Sequence, residues 1–113
     1  MSDVADASTP QRVCFLMQVK SERVAEYLTV HEDIWPDMLE ALRETGWTNF
    51  SLFLRRRDGL VVGYVETADY ALATSAMARR EVNTRWQRTM AEYFVEGRPD
   101  EDVDVLEEYF HLP

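Results

Sequence analysis

One cysteine, Cys14, in 113 residues excludes an intrachain disulfide. It has no histidine near it in sequence, so it reads as a small apolar strand residue before it reads as a catalytic thiol. No window approaches the roughly 18 apolar residues of a membrane-spanning helix. Residues 1–11 hold neither a cationic start nor an apolar stretch of signal-peptide length, and the expectation is a soluble, cytoplasmic protein with no membrane partner. A basic surplus is missing as well. Twelve Lys and Arg face 21 Asp and Glu, for a formal net charge of −9 and a sequence pI near 4.6. That field repels polyanions and argues against nucleic-acid binding. Much of the acid gathers in Glu96, Asp100, Glu101, Asp102, Asp104, Glu107 and Glu108, without the Gly-pivoted spacing of a calcium loop, so it reads as a solvated connection and no metal is expected. No internal repeat is present.

The apolar fraction is 46%, enough for one core in a chain of common domain size. Residues 1–11 read as a flexible tail and 12–113 as one domain. The run from Arg12 to Lys20 suits a buried strand, and Ser21 then serves as N-cap of a helix reaching to Gly46. Pro36 withholds its N–H from residue 32, so this helix should kink or break around Ile34–Trp35. Asn49 to Arg55 and Leu60 to Glu66 alternate as two strands joined through Asp58-Gly59, a hairpin signal. A second helical region, about Asp69 to Phe94 and in two pieces, carries the stripe Met77, Val82, Trp86, Met90 and Phe94, ends at Gly97-Arg98-Pro99, and precedes a strand at about Val105 to His111. Strand, helix, strand, strand, helix, strand is the split βαβ order of an α+β, ferredoxin-like fold: a four-stranded antiparallel sheet with helices on one face. The other face needs a cover, from a pocket or from the sheet of a second copy.

Histidine is scarce, with only His31 and His111. His31 lies four residues after Tyr27 and four before Trp35, so the three share a face if the helix is regular. An imidazole gives and takes protons near neutral pH, and a tyrosine hydroxyl one turn away can orient it or hold a substrate oxygen. Aromatic rings beside such a pair suit sugars, whose C–H faces pack on them. A core histidine bonded to a neighbouring hydroxyl is the plainer alternative. His111 reads as a packing residue before a catalytic one, Arg55-Arg56-Arg57 as a solvated turn before an anion grip, and Trp35 and Trp47 as core before pocket lining.

The stretch His31-Glu-Asp-Ile-Trp-Pro-Asp-Met-Leu, with Tyr27 four residues ahead, resembles the L-rhamnose mutarotase family. So do Thr48-Asn49-Phe50-Ser51-Leu52-Phe53-Leu54, Phe15-Leu-Met-Gln-Val19, Gly63-Tyr-Val-Glu66, Arg85-Trp86 followed by Met90, and the ending Tyr109-Phe-His-Leu-Pro113. The resemblance covers essentially everything after residue 12. It implies the dimeric α+β barrel form of the fold, with a homodimer formed through the sheet face. It also implies interconversion of the α and β anomers of L-rhamnose or a similar deoxysugar, without metal or cofactor. His31 would be the general acid/base, with Tyr27 and Trp86 contacting the sugar. Two positions depart from the family's pattern. Phe50 stands where a sugar-binding tyrosine is usual, and Gln87 replaces the second tryptophan of a tandem pair, so both belong to the expected substrate contacts and both can retune specificity. The alternatives are a cofactor-free cyclase, isomerase or oxygenase of the same barrel class acting on a less polar metabolite, and a non-catalytic small-molecule-binding module.

Overall fold

The computed structural model describes residues 9–95 and 103–113. Strands β1 (Gln11–Gln18), β2 (Thr48–Arg55), β3 (Leu60–Thr67) and β4 (Asp104–Leu106) form one sheet in the order β2-β3-β1-β4. Every neighbouring pair is antiparallel, so β1 and β2 run the same way with β3 between them, the split βαβ arrangement. Helices α1 (Val24–His31) and α2 (Pro36–Glu44) follow β1, and α3 (Tyr70–Ala78) and α4 (Glu81–Met90) follow β3. The expected fold class is the observed one. The expected strand at 12–20 begins one residue earlier, because Gln11 already pairs with Thr67. Most of the expected tail, the end of the second helical region at Gly97-Arg98-Pro99, and Glu96, Asp100, Glu101 and Asp102 lie outside the described residues.

The side-chain period of two decides what the helices cover. Phe15 on β1 and Val61, Val65 and Thr67 on β3 are buried beneath them. Phe53, one step out of phase on β2, is 62% exposed on the opposite face. A bulge interrupts the β2–β3 ladder between Thr48 and Ser51, with Asn49 at φ 45°. Thr48 and Ser51 therefore both sit across from residues of the outer row, Glu66 and Tyr64, while Phe50 turns inward. Gly63, paired with Phe15, has no room for a side chain: a Cβ there would lie 2.3 Å from the Phe15 ring.

The first helical region breaks completely, and earlier than Ile34. Trp35 has the extended conformation (ψ 131°) imposed by the following proline, and Pro36 opens α2 at a position that needs no N–H. His31 is thus the last residue of α1. The expected cap at Ser21 is not formed. Ser21 begins a 3₁₀ turn closed by the Arg23 amide on the Lys20 carbonyl, with no side-chain cap. Asp69, in contrast, caps α3 by accepting from the Leu72 amide. Further along, the second helical region divides at Arg79–Arg80 as expected, and Glu81 pairs with Arg85 at 3.5 Å.

β4 is shorter than the expected strand at 105–111. With Cys14 opposite Leu106, only Val13, Arg12 and Gln11 of β1 remain to pair with residues beyond 106, and Glu108 instead meets Arg12 at 2.9 Å through its side chain. His111 is therefore exposed on the C-terminal segment, 3.8 Å from Glu108, and packs into no core. At the β2–β3 turn Arg55 grips Asp58 through two bonds of 3.0 and 2.6 Å, holding its carboxyl down at about 2.

Candidate active site

Between the sheet and the helices lies a cavity of about 270 Å³, at the small end for ligand pockets. It sits on the helix-covered face of the sheet. Tyr27, His31, Phe50, Trp86 and Gln87 all line it. Their convergence needs four elements: α1 brings Tyr27 and His31, β2 brings Phe50, α4 brings Trp86 and Gln87, and β1 supplies Phe15 and Met17 as floor.

The Tyr27–His31 pair is held from within α1. His31 Nδ1 lies 3.0 Å from the Tyr27 backbone carbonyl oxygen. A carbonyl only accepts, so Nδ1 carries a proton and donates it, which leaves Nε2 as the basic nitrogen of the neutral ring. Burial pushes the imidazole below its ordinary pKa of 6.5, partly opposed by that same hydrogen bond, which favours the cation. His31 is therefore neutral at pH 7, with a free lone pair. Tyr27 is 4% exposed, and burial raises its phenol to about 12, so it stays a hydroxyl donor. The two rings meet tilted by 42° at 4.3 Å between centroids, and Phe94 meets Tyr27 edge-on at 5.6 Å.

Trp86 meets His31 nearly perpendicular at 5.5 Å, and Trp35 meets Trp86 nearly perpendicular at 5.1 Å. Helical spacing had placed Trp35 beside His31. The break at residues 32–35 removes that relation, and Trp35 instead buttresses Trp86, with Arg85 over its own ring at 5.5 Å. Trp47, expected in the core, lines the cavity and packs on Phe50 at 5.0 Å and Tyr70 at 5.9 Å. Its indole N–H points to the Ala73 carbonyl at 3.4 Å.

Three polar lining residues escaped the sequence reading, Tyr70, Thr74 and Asn83. Asn83 is 5% exposed and accepts a 3.0 Å hydrogen bond from Gln87 Nε2. Its position three residues before Trp86 and four before Gln87 was the available signal. Tyr70 and Thr74 had none, because they reach the cavity only through the packing of α3 on Trp47, just ahead of β2. Among the described residues no group of three or more His, Cys, Asp or Glu could hold a metal ion, and no helix is long and apolar enough to cross a membrane.

The split βαβ sheet and the half-open cavity with its neutral histidine define a small ferredoxin-like α+β protein built around a ligand-sized site. The family model described as L-rhamnose mutarotase matches residues 12–112. An L-rhamnose mutarotase of Oceanobacillus iheyensis is 32% identical over 103 residues, covering 90% of this chain and 98% of that protein. The crystal structure of an L-rhamnose mutarotase from Formosa agariphila superposes with a TM-score of 0.77 at 20% identity, over 91% of this chain and 99% of the other. A dimeric ferredoxin-like protein from an uncultured marine organism shares the fold, with a TM-score of 0.55 at 9% identity and coverage of 95% and 96%. The chain belongs to the L-rhamnose mutarotase family and is an isomerase of that family.

Proposed function

We propose that the chain interconverts the α and β anomers of L-rhamnose or a similar 6-deoxyhexose, with His31 as the proton-transfer group. The observation carrying this reading is the bond from His31 Nδ1 to the Tyr27 carbonyl, which leaves a basic Nε2 on a side chain that lines the cavity. Nε2 takes the proton of the anomeric hydroxyl. The C1–O5 bond breaks as O1 becomes the aldehyde oxygen, and O5 receives a proton. Rotation about C1–C2 then presents the other face of the aldehyde, and the reverse transfers close the ring. O1 and O5 share C1, so one imidazolium can return to O5 the proton it took from O1. Tyr27 donates to a sugar oxygen, the Trp86 ring packs on C–H groups, and Phe50 and Gln87 complete the contacts. Saturation-transfer NMR on L-rhamnose tests the reading. Anomer exchange should be accelerated over buffer by the wild type and lost in His31→Ala.

A less polar metabolite is the second reading, favoured by the wall of Phe15, Met17, Ile34, Met38, Leu42 and Phe50. It predicts binding of apolar ring compounds in preference to sugars, with no acceleration of anomer exchange. A binding-only module would shift ligand signals without changing the exchange rate.

The protein pairs with a second copy through the open face of the sheet. Phe53 and Leu106 stand exposed on that face, and Tyr109, Phe110 and Leu112 on the segment beside it are 95%, 73% and 78% exposed. Sedimentation equilibrium should give a dimer for the wild type and a monomer for Phe53→Asp. A monomeric wild type would refute the assembly and leave the catalytic reading standing.

A further inference from the structure

Asn83 is a polar residue on an apolar stripe. It shares its inward face of α4 with Trp86 and Met90, both buried, and a leucine there would pack without desolvating an amide. Two other polar groups of the wall, on Thr74 and Trp47, are spent on the protein itself. Thr74 donates to the Ala71 carbonyl at 3.0 Å, and Trp47 Nε1 to the Ala73 carbonyl. Asn83 and Gln87 are spent only in part. Their mutual bond uses Gln87 Nε2 and Asn83 Oδ1, which leaves the Asn83 amide nitrogen and the Gln87 carbonyl oxygen without a protein partner among the described residues. Turning both amides over exchanges the two roles and still leaves one donor and one acceptor.

We propose that the Asn83–Gln87 amide pair is the subsite that reads two adjacent hydroxyls of the substrate, the donor amide serving one oxygen and the acceptor carbonyl taking the proton of the other. Vicinal hydroxyls match this pair because each hydroxyl can both give and take a hydrogen bond, so one accepts from the free amide N–H while its neighbour donates to the free carbonyl. The mutual bond fixes the direction of both amides before the ligand arrives, so little freedom is lost on binding. The Nε2 of His31 and the amide clamp belong to side chains lining one cavity, and the clamp settles which sugar carbon faces the base. The inference rests on the sugar-binding reading of the cavity and adds to it a specificity device in which Asn83, rather than an aromatic ring, does the selecting.

The test is a binding cycle on the full chain. Dissociation constants of L-rhamnose and of its 2-, 3- and 4-deoxy analogues are measured by NMR titration for wild type, Asn83→Leu and Gln87→Met, with thermal unfolding as a check on folding. Loss of one hydrogen bond corresponds to about a twofold to tenfold weakening. L-Rhamnose should weaken by that factor in each variant. Two of the deoxy analogues should weaken by as much in the wild type and should gain nothing further from the variant that removes their partner. Gln87→Met keeps the chain length on a half-buried position, so the cycle survives an Asn83→Leu that does not fold. If the variants bind L-rhamnose as the wild type does, or lose all four sugars equally, the diol subsite is overturned while the sugar reading stands. If the wild type binds none of the four sugars, the sugar reading falls and takes the subsite with it.

Discussion

At the α1–α4 end of the cavity, polar atoms come in pairs one helical turn apart: His31 on the Tyr27 carbonyl, Gln87 on the Asn83 amide. At the β2–α3 end the wall is made of rings, with Trp47 against Phe50 and Tyr70, and Phe15 against Phe50 at 6.3 Å. The first end fixes directions, because an i,i+4 side-chain bond locks a donor or acceptor onto a rigid helix. The second end fixes a volume, because rings from strands and a separate helix meet with little directional demand. A proton-transfer site needs directions on one side of its substrate and shape on the other, and this cavity divides the tasks between its secondary-structure types.

The comparison predicts its largest effect where direction matters most. His31→Ala should slow enzyme-dependent anomer exchange by at least about 100-fold, the ordinary lower range for loss of a positioned acid/base group. Melting temperature serves as the control for folding. The same residue sets the pH profile. Its pKa is lowered in the folded chain, so the neutral ring persists below the ordinary value of 6.5 and activity should hold to lower pH than an unperturbed histidine allows. The linkage has a definite sign. Between the folded value and 6.5 the unfolded chain binds more protons, so the His31 contribution to stability is complete above 6.5 and is lost as pH falls through that window. In His31→Ala that part of the pH dependence of unfolding should vanish. An unchanged acid limb would remove His31 from the role.

A strike on the shape side should act through volume instead. Gly63→Ala places a methyl 2.3 Å from the buried Phe15 ring, a ring that also floors the cavity. The ring must move toward the cavity or the strands must part. Overpacking of this kind costs about 1–3 kcal/mol, to be read from denaturant unfolding. Binding should weaken as the cavity narrows, with the pH profile unaltered because His31 keeps its hydrogen bond. A shifted pH profile would show that the two ends are not independent.

Legibility in the sequence divides along the same line. Strand order, the split of the second helical region, the turn at Asp58-Gly59 and the alternation of the two hairpin strands came from local patterns of period two or 3.6 and from turn chemistry. Tyr27 and His31 came from spacing within one helix, and their family context from the run through Trp35-Pro36. Trp35 was misplaced because a proline rule locates a break without saying how many residues unwind before it; here the helix stopped at His31 and Trp35 packs on Trp86 instead. The places of Tyr70 and Trp47 in the wall depend on α3 packing against Trp47, a contact between residues more than 20 positions apart that no periodicity encodes. Asn83 was legible and passed over, because a polar residue inside a stripe of Met and Trp reads as its solvent edge until burial is known.

The smallest effect should come from giving the shape side a direction. Phe50 is held by Trp47 and Phe15, turned inward by the bulge at Asn49, and half-buried on the cavity wall. Phe50→Tyr adds a single hydroxyl at the rim of a fixed ring, with no change in the polar pairs of the opposite wall. A new hydrogen bond to a sugar oxygen would be worth about twofold to tenfold in affinity for L-rhamnose, measured by NMR titration against the wild type. The gain should be absent for whichever deoxy analogue lacks the oxygen that the phenol meets, and it should add to the effects of Asn83 and Gln87 substitutions, since the two walls share no hydrogen bond. A loss of affinity would mean that the added oxygen is buried without a partner. The β2 wall would then be an apolar surface in its own right, the condition under which the less polar metabolite becomes the better substrate.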